Sequence, residues 1–122
     1  MTALVATESQ EQAALVSWFR CTFPGTLILS IPNGAHLAGS GPIRAMKMAK
    51  LKREGLTPGV PDLFIPEWEL WVEMKRTKGG RLSDEQETII GYLRNIGQRV
   101  IVGEGWEDAA EQLRAEARDH DR

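Results

Sequence analysis

The stretch from Gly59 to Lys75 reads GVPDLFIPEWELWVEMK and leaves the chain few ways to fold. Two short runs, Asp62–Ile65 and Leu70–Lys75, carry strand-type residues, and Pro66-Glu67-Trp68-Glu69 separates them. The pattern predicts a β-hairpin. With the turn centred on Glu67-Trp68, equal counts run back along both strands, and Asp62 falls opposite Glu73. Side chains alternate between the faces of a strand, so Glu73 and Lys75 share a face and Asp62 lies on it with them. Opposed residues place their Cβ atoms about 4.5–5.5 Å apart. Two bare carboxylates at that range repel, and one is driven to keep its proton. A cation that prefers hard oxygen ligands, Mg²⁺ or Mn²⁺, removes the conflict. Lys75 adds a positive charge able to orient a water or to stabilise negative charge as it develops. Taken alone, a Glu-x-Lys strand end is better read as a solvated face with a weak ion pair. Gly59 and Pro61 change the balance, because they fix an unusual backbone approach to an acid that opens an apolar strand.

The rest of the composition sets outer bounds. A chain of 122 residues is one domain's worth, covering 1–122 with residues 119–122 expected to fray. Lys and Arg number 15 against 17 Asp and Glu, so no basic coat is present and any nucleic-acid contact rests on local patches. Cys21 is the single cysteine, which excludes an internal disulfide and a cysteine-based zinc site. No apolar run reaches the length of a membrane span, and the N-terminus lacks a signal-peptide pattern. The expectation is an intracellular, cytoplasmic protein.

Apolar spacing and stop signals predict the remaining elements. A helix covers about Thr7–Thr22, with Thr7 as N-cap and Ala14, Leu15, Trp18 and Phe19 on one stripe. Residues Thr26–Ile31 form a continuous apolar run read as a buried strand. A glycine-rich loop from His36 leads into a helix over about Pro42–Glu54, which Gly55 stops. After the hairpin comes the loop Arg76–Arg81, then a helix opened by Ser83 that runs to about Asn95. Arg99–Val102 is the last strand, and Trp106 to about Arg118 a closing helix. The order α-β-α-β-β-α-β-α predicts an α/β fold, with a central mixed sheet flanked by helices on both faces.

At this point the residues resemble a known family. The chain is similar to VRR-NUC domains, a branch of the PD-(D/E)XK nuclease superfamily, over nearly its whole length. The matching pieces are ESQEQ from Glu8, IPNG at 31–34, LKREGLTPGVPDLF at 51–64, WVEMKRTKGGRLSDEQ at 71–86 and GQRVIV at 97–102. The resemblance implies a restriction-endonuclease-like core and a metal-dependent endonuclease that hydrolyses DNA phosphodiesters, often in branched or flapped structures. Carried onto this sequence, it gives Asp62 and Glu73 as metal-binding acids, Lys75 as the catalytic lysine and Gln86 as the motif glutamine. It adds the main-chain carbonyl of Met74 to the metal shell. An acid from the first helix joins the site, Glu8 preferred and Glu11 the alternative. The size of the chain is that of stand-alone, virus-type members, which would act in the host cytoplasm. Such members are similar to Holliday-junction resolvases and tend to be homodimers.

Several residues carry a second reading. Ser83-Asp84-Glu85-Gln86 also fits a capping box, in which Gln86 serves the Ser83 N–H. Glu8 and Glu11 also complement a helix dipole. Asn33 is a turn residue that family matching raises to a substrate contact. His36 reads as a loop residue and His120 as tail. Lys47, Lys50, Lys52 and Arg53, with Arg76, Lys78 and Arg81, are the candidate phosphate-tracking residues, against the reading of solvated charge. The four tryptophans read as core or interface, with Trp68 at the hairpin tip the one candidate for base stacking. Two other functions compete with a structure-selective nuclease. One is a sequence-specific restriction-type nuclease, disfavoured because the chain is short for a separate recognition domain. The other is a DNA-structure binding module without turnover, disfavoured because a binder has little need of clustered acids facing phosphate.

Overall fold

A computed structural model describes residues 5–33 and 37–120. His36 and Gly34 lie outside the described residues. The helices are α1 (Glu8–Thr22), α2 (Gly41–Arg53), α3 (Asp84–Asn95) and α4 (Trp106–His120), and the strands are β1 (Leu29–Ser30), β2 (Leu63–Ile65), β3 (Leu70–Lys75) and β4 (Arg99–Glu104). Their order along the chain is the one the sequence predicts. The sheet runs β1-β2-β3-β4, antiparallel across its first two pairings and parallel between β3 and β4. Helix α3 is the crossover that the parallel pair requires.

Local chemistry starts and stops these elements. The Thr7 hydroxyl accepts the Gln10 N–H at 3.1 Å, and the Gln10 side chain accepts the Thr7 N–H at 2.9 Å, closing a capping box on α1. Ser83 and Gln86 do the same for α3. Between β2 and β3 the chain makes a short 3-10 turn over Pro66–Trp68, and Glu69 turns back with φ 50°. The register pairs Leu63 with Val72, Phe64 with Trp71 and Ile65 with Leu70. That is the register the hairpin count predicts.

Strand alternation sorts the core into two layers. Leu63, Ile65, Leu70, Val72, Met74 and Ile101 pack with Leu15 and Phe19 of α1 and with Ala109, Ala110, Leu113 and Ala117 of α4. Each large apolar side chain buried there contributes about 1.5–3 kcal/mol. On the other face, Ile90 and Leu93 of α3 meet Val100, with Trp71 and Val102 half-buried beside them. Trp71, Glu73 and Lys75 therefore belong to the α3 face, and Leu70, Val72 and Met74 to the α1–α4 face.

Three sequence expectations change in the fold. The strand expected over 26–31 is regular only at Leu29 and Ser30, which pair with Phe64 and Leu63, and one further main-chain bond joins Ile31 to Asp62. Trp68 is 5 % exposed, with its ring centroid 5.3 Å from Phe19 and 5.0 Å from Phe23, so it is core and cannot stack on a base. His120 ends α4 rather than a free tail, its ring 6.3 Å from Trp68. Helix α2 buries none of its residues, and Ile43 and Met46 are exposed. No helix among the described residues is long and apolar enough to cross a membrane.

Candidate active site

Asp62 sits one residue before β2, and its main chain is turned to β1, where its carbonyl accepts the Ile31 N–H at 2.8 Å. Its carboxylate turns the other way and accepts the Met74 N–H at 2.7 Å through Oδ2. The hairpin register, extended by two residues, places Met74 opposite Pro61. In an antiparallel hydrogen-bonded pair, each residue exchanges both its N–H and its C=O with its partner. Pro61 is fully buried and carries no N–H to give. Asp62 thus satisfies Met74's donor, and the Met74 carbonyl faces a residue that cannot pair with it. The same count that sets Asp62 against Glu73 carries this signal in the sequence.

Glu73 is 1 % exposed, and its Oε1 has no hydrogen-bond partner. Burial, first, and then a hydrogen bond to Asp62 and the charge of Asp62 push its pKa from 4.5 up to about 9; Lys75 opposes the rise and Glu8 adds to it. The fold therefore holds two carboxyl groups together, one of them in a dry place where it keeps its proton at neutral pH. Gln86 Nε2 donates to Glu73 Oε2 at 3.5 Å, while Gln86 Oε1 accepts the Ser83 N–H at 2.8 Å. The capping reading of Gln86 holds, and the same side chain also reaches the buried acid.

Lys75 is 6 % exposed, and its Nζ lies 3.6 Å from Glu8 Oε1. The two first-helix acids have different partners. Glu8 pairs with Lys75 at the site. Glu11 is buried, and its Oε2 accepts the main-chain N–H of Trp106 at 2.5 Å. Sequence alone could not divide them, since both stand in the first turn of α1.

Gly59 sets the approach of the segment that leads into Asp62. It has φ +92°, and a Cβ there would lie 2.3 Å from the Glu85 carbonyl oxygen and 2.9 Å from the Gln86 nitrogen. Only glycine lets this loop touch the first turn of α3, where Gln86 stands.

Among the described residues, no group of three or more His, Cys, Asp or Glu side chains is arranged to hold a metal ion. A cation at Asp62 and Glu73 would draw its other ligands from main-chain and water oxygens. The donor set suits that: hard oxygens, an unpartnered buried Oε1, and a peptide carbonyl facing a proline. An open groove of about 1310 Å³ beside the site is lined by Glu8, Gln12, Arg20, Asn33 and Asp62. Lys47, Lys50, Lys52 and Arg53 are exposed on α2, the Lys47 ammonium donating to the Ala38 carbonyl at 3.2 Å. Arg76, Lys78 and Arg81 are exposed on the segment that follows Lys75.

One solved structure, a "VRR_NUC domain protein", superposes with a TM-score of 0.70 at 20 % identity, covering 95 % of this chain and 90 % of that one. A search of curated proteins gives no match. The VRR-NUC domain family model matches residues 6–106, from the residue before the N-cap of α1 through the start of α4. The chain belongs to the VRR-NUC domain family, a nuclease-named family.

Proposed function

We propose that this protein is a divalent-metal-dependent endonuclease that hydrolyses DNA phosphodiesters, selects branched DNA and acts as a homodimer. The observation that carries the reading is the pair of touching carboxyls, Asp62 and Glu73, with Glu73 buried and pushed up to about 9. A fold has little structural reason to hold two acids this way, and a cation between them removes the repulsion.

In this reading Asp62, Glu73 and the Met74 carbonyl hold Mg²⁺ or Mn²⁺. When bound, the metal supplies Lewis-acid activation of a phosphate oxygen and acidifies a water. Lys75 orients the attacking water and offsets negative charge on the phosphate, and Glu8 holds the Lys75 ammonium in place. Gln86 keeps the Glu73 carboxylate aimed. Asn33 contacts the substrate from the groove it shares with Asp62 and Glu8. The exposed cations of α2 and of the segment 76–81 track phosphates without reading sequence.

Cleavage of linear, nicked, flap and four-way-junction DNAs in Mg²⁺, Mn²⁺ and EDTA tests the reading. Metal-dependent cutting of a branched substrate is expected, with loss in Glu73→Ala and Lys75→Ala. Equal cutting by those variants, or cutting in EDTA, removes these residues from the chemistry.

A further inference from the structure

Glu11 is a buried acid outside the metal-holding pair, and its contact crosses the length of the chain. Its Oε2 accepts the N–H of Trp106, the first residue of α4. The residue before α4 is Gly105, whose carbonyl accepts the Ala109 N–H at 3.2 Å but which has no side chain to cap the helix. Glu11 supplies the missing cap from α1. The fit requires glycine at 105: φ is +90°, and a Cβ would lie 2.8 Å from Glu11 Oε2 and 2.4 Å from Thr77 Cγ2. The same corner is tied to the site, because the Gly105 N–H donates to the Lys75 carbonyl at 2.7 Å. Three residues earlier on the same face of α1, Glu8 reaches the Lys75 ammonium at 3.6 Å.

We propose that Glu11 is a positioning residue: it docks α1 on the β4–α4 corner and thereby sets Glu8 against Lys75. It binds no metal and touches no substrate. The activity part of this inference rests on the nuclease reading; the structural part does not.

Two near-isosteric variants test it. In Glu11→Gln the amide oxygen still accepts the Trp106 N–H, whereas in Glu11→Asp the carboxylate is kept but is one methylene too short. A positioning role predicts near wild-type kcat in Glu11→Gln and a fall of up to about 10²-fold in Glu11→Asp, with KM unchanged. A metal-ligand role predicts the reverse order, and that order overturns the proposal. In a Glu8→Ala background, Glu11→Asp is expected to cause no further loss; additive losses overturn it. Crystal structures of both variants read the geometry without turnover. The Glu8–Lys75 ion pair should persist in Glu11→Gln and open beyond 4.0 Å in Glu11→Asp, and an intact pair in Glu11→Asp overturns the proposal. If the wild type cuts no DNA, the nuclease reading falls while the crystal structures still decide the positioning role.

Discussion

Oδ2 of Asp62 accepts the main-chain N–H of Met74 at 2.7 Å, in the place where the residue opposite, Pro61, would carry the hairpin ladder onward. One carboxylate therefore ends the ladder and lies against Glu73. The two duties separate on substitution. In Asp62→Asn the side-chain oxygen can still accept from Met74, so the fold should hold, whereas an orphaned buried N–H costs about 1–3 kcal/mol. The charge is removed, so cleavage should fall at least about 10²-fold. Glu73 should then titrate lower, since the charge of Asp62 is among the causes that raise it. Carboxyl-carbon NMR of Glu73 with a cleavage assay checks both; an unmoved Glu73 titration would falsify the coupling.

The pKa of Glu73 makes stability depend on pH. Its folded value of about 9 lies above the ordinary 4.5. Between those values the unfolded chain is ionised at this position while the fold keeps its proton. The folded state binds more protons there, so stability falls as pH rises. The metal-free protein should lose Tm through this window, at no more than about 1.4 kcal/mol per pH unit from this group. Glu73→Gln should be flatter over the same range, and Mn²⁺ added at pH 8 should raise the wild-type Tm while releasing protons. Thermal melts across pH for the two proteins decide it; parallel profiles would reject it.

Gly59 should tolerate no side chain. The positive φ alone costs a non-glycine residue about 1–3 kcal/mol. The clash with the Glu85 carbonyl adds to that and pushes the first turn of α3 outward. Gly59→Ala should therefore lower the urea midpoint and also reduce cleavage under conditions where the protein stays folded, because Gln86 moves away from Glu73. Full activity in the folded variant would show that the loop–helix approach does not serve the site.

The basic residues of α2 should act on affinity, not chemistry. Replacing Lys50, Lys52 and Arg53 by Ser should weaken DNA binding and lower the salt slope by about one for each phosphate that these side chains neutralise. Turnover at saturating DNA should stay near wild type. Binding titrations across salt concentrations measure this, and an unchanged slope assigns those charges to solvent.

Much of the site was legible along the chain because its geometry is local. Asp62, Glu73 and Lys75 are joined by one hairpin, and a hairpin's register follows from the residues in its turn together with two-residue alternation. Thr7 with Gln10, and Ser83 with Gln86, mark helix starts for the same reason: a cap and its partner are three residues apart. Trp68 was less legible. A tryptophan in a tight turn looks solvent-facing until α1 and α4 bring Phe19, Phe23 and His120 around it.

The sequence by itself determined the order of elements, the caps and the face shared by the two acids and the lysine, since each depends on neighbours a few residues away. Only the tertiary structure set Glu8 beside Lys75 and Glu11 against the Trp106 amide. Both are acids in one helical turn, and what separates them is the distance to Lys75 and to the amide of Trp106, groups that lie far along the chain. Tertiary structure also decided that Gln86 caps its helix and reaches Glu73 together. Those outcomes depend on how helices dock on the sheet, a many-body packing result that no local spacing encodes.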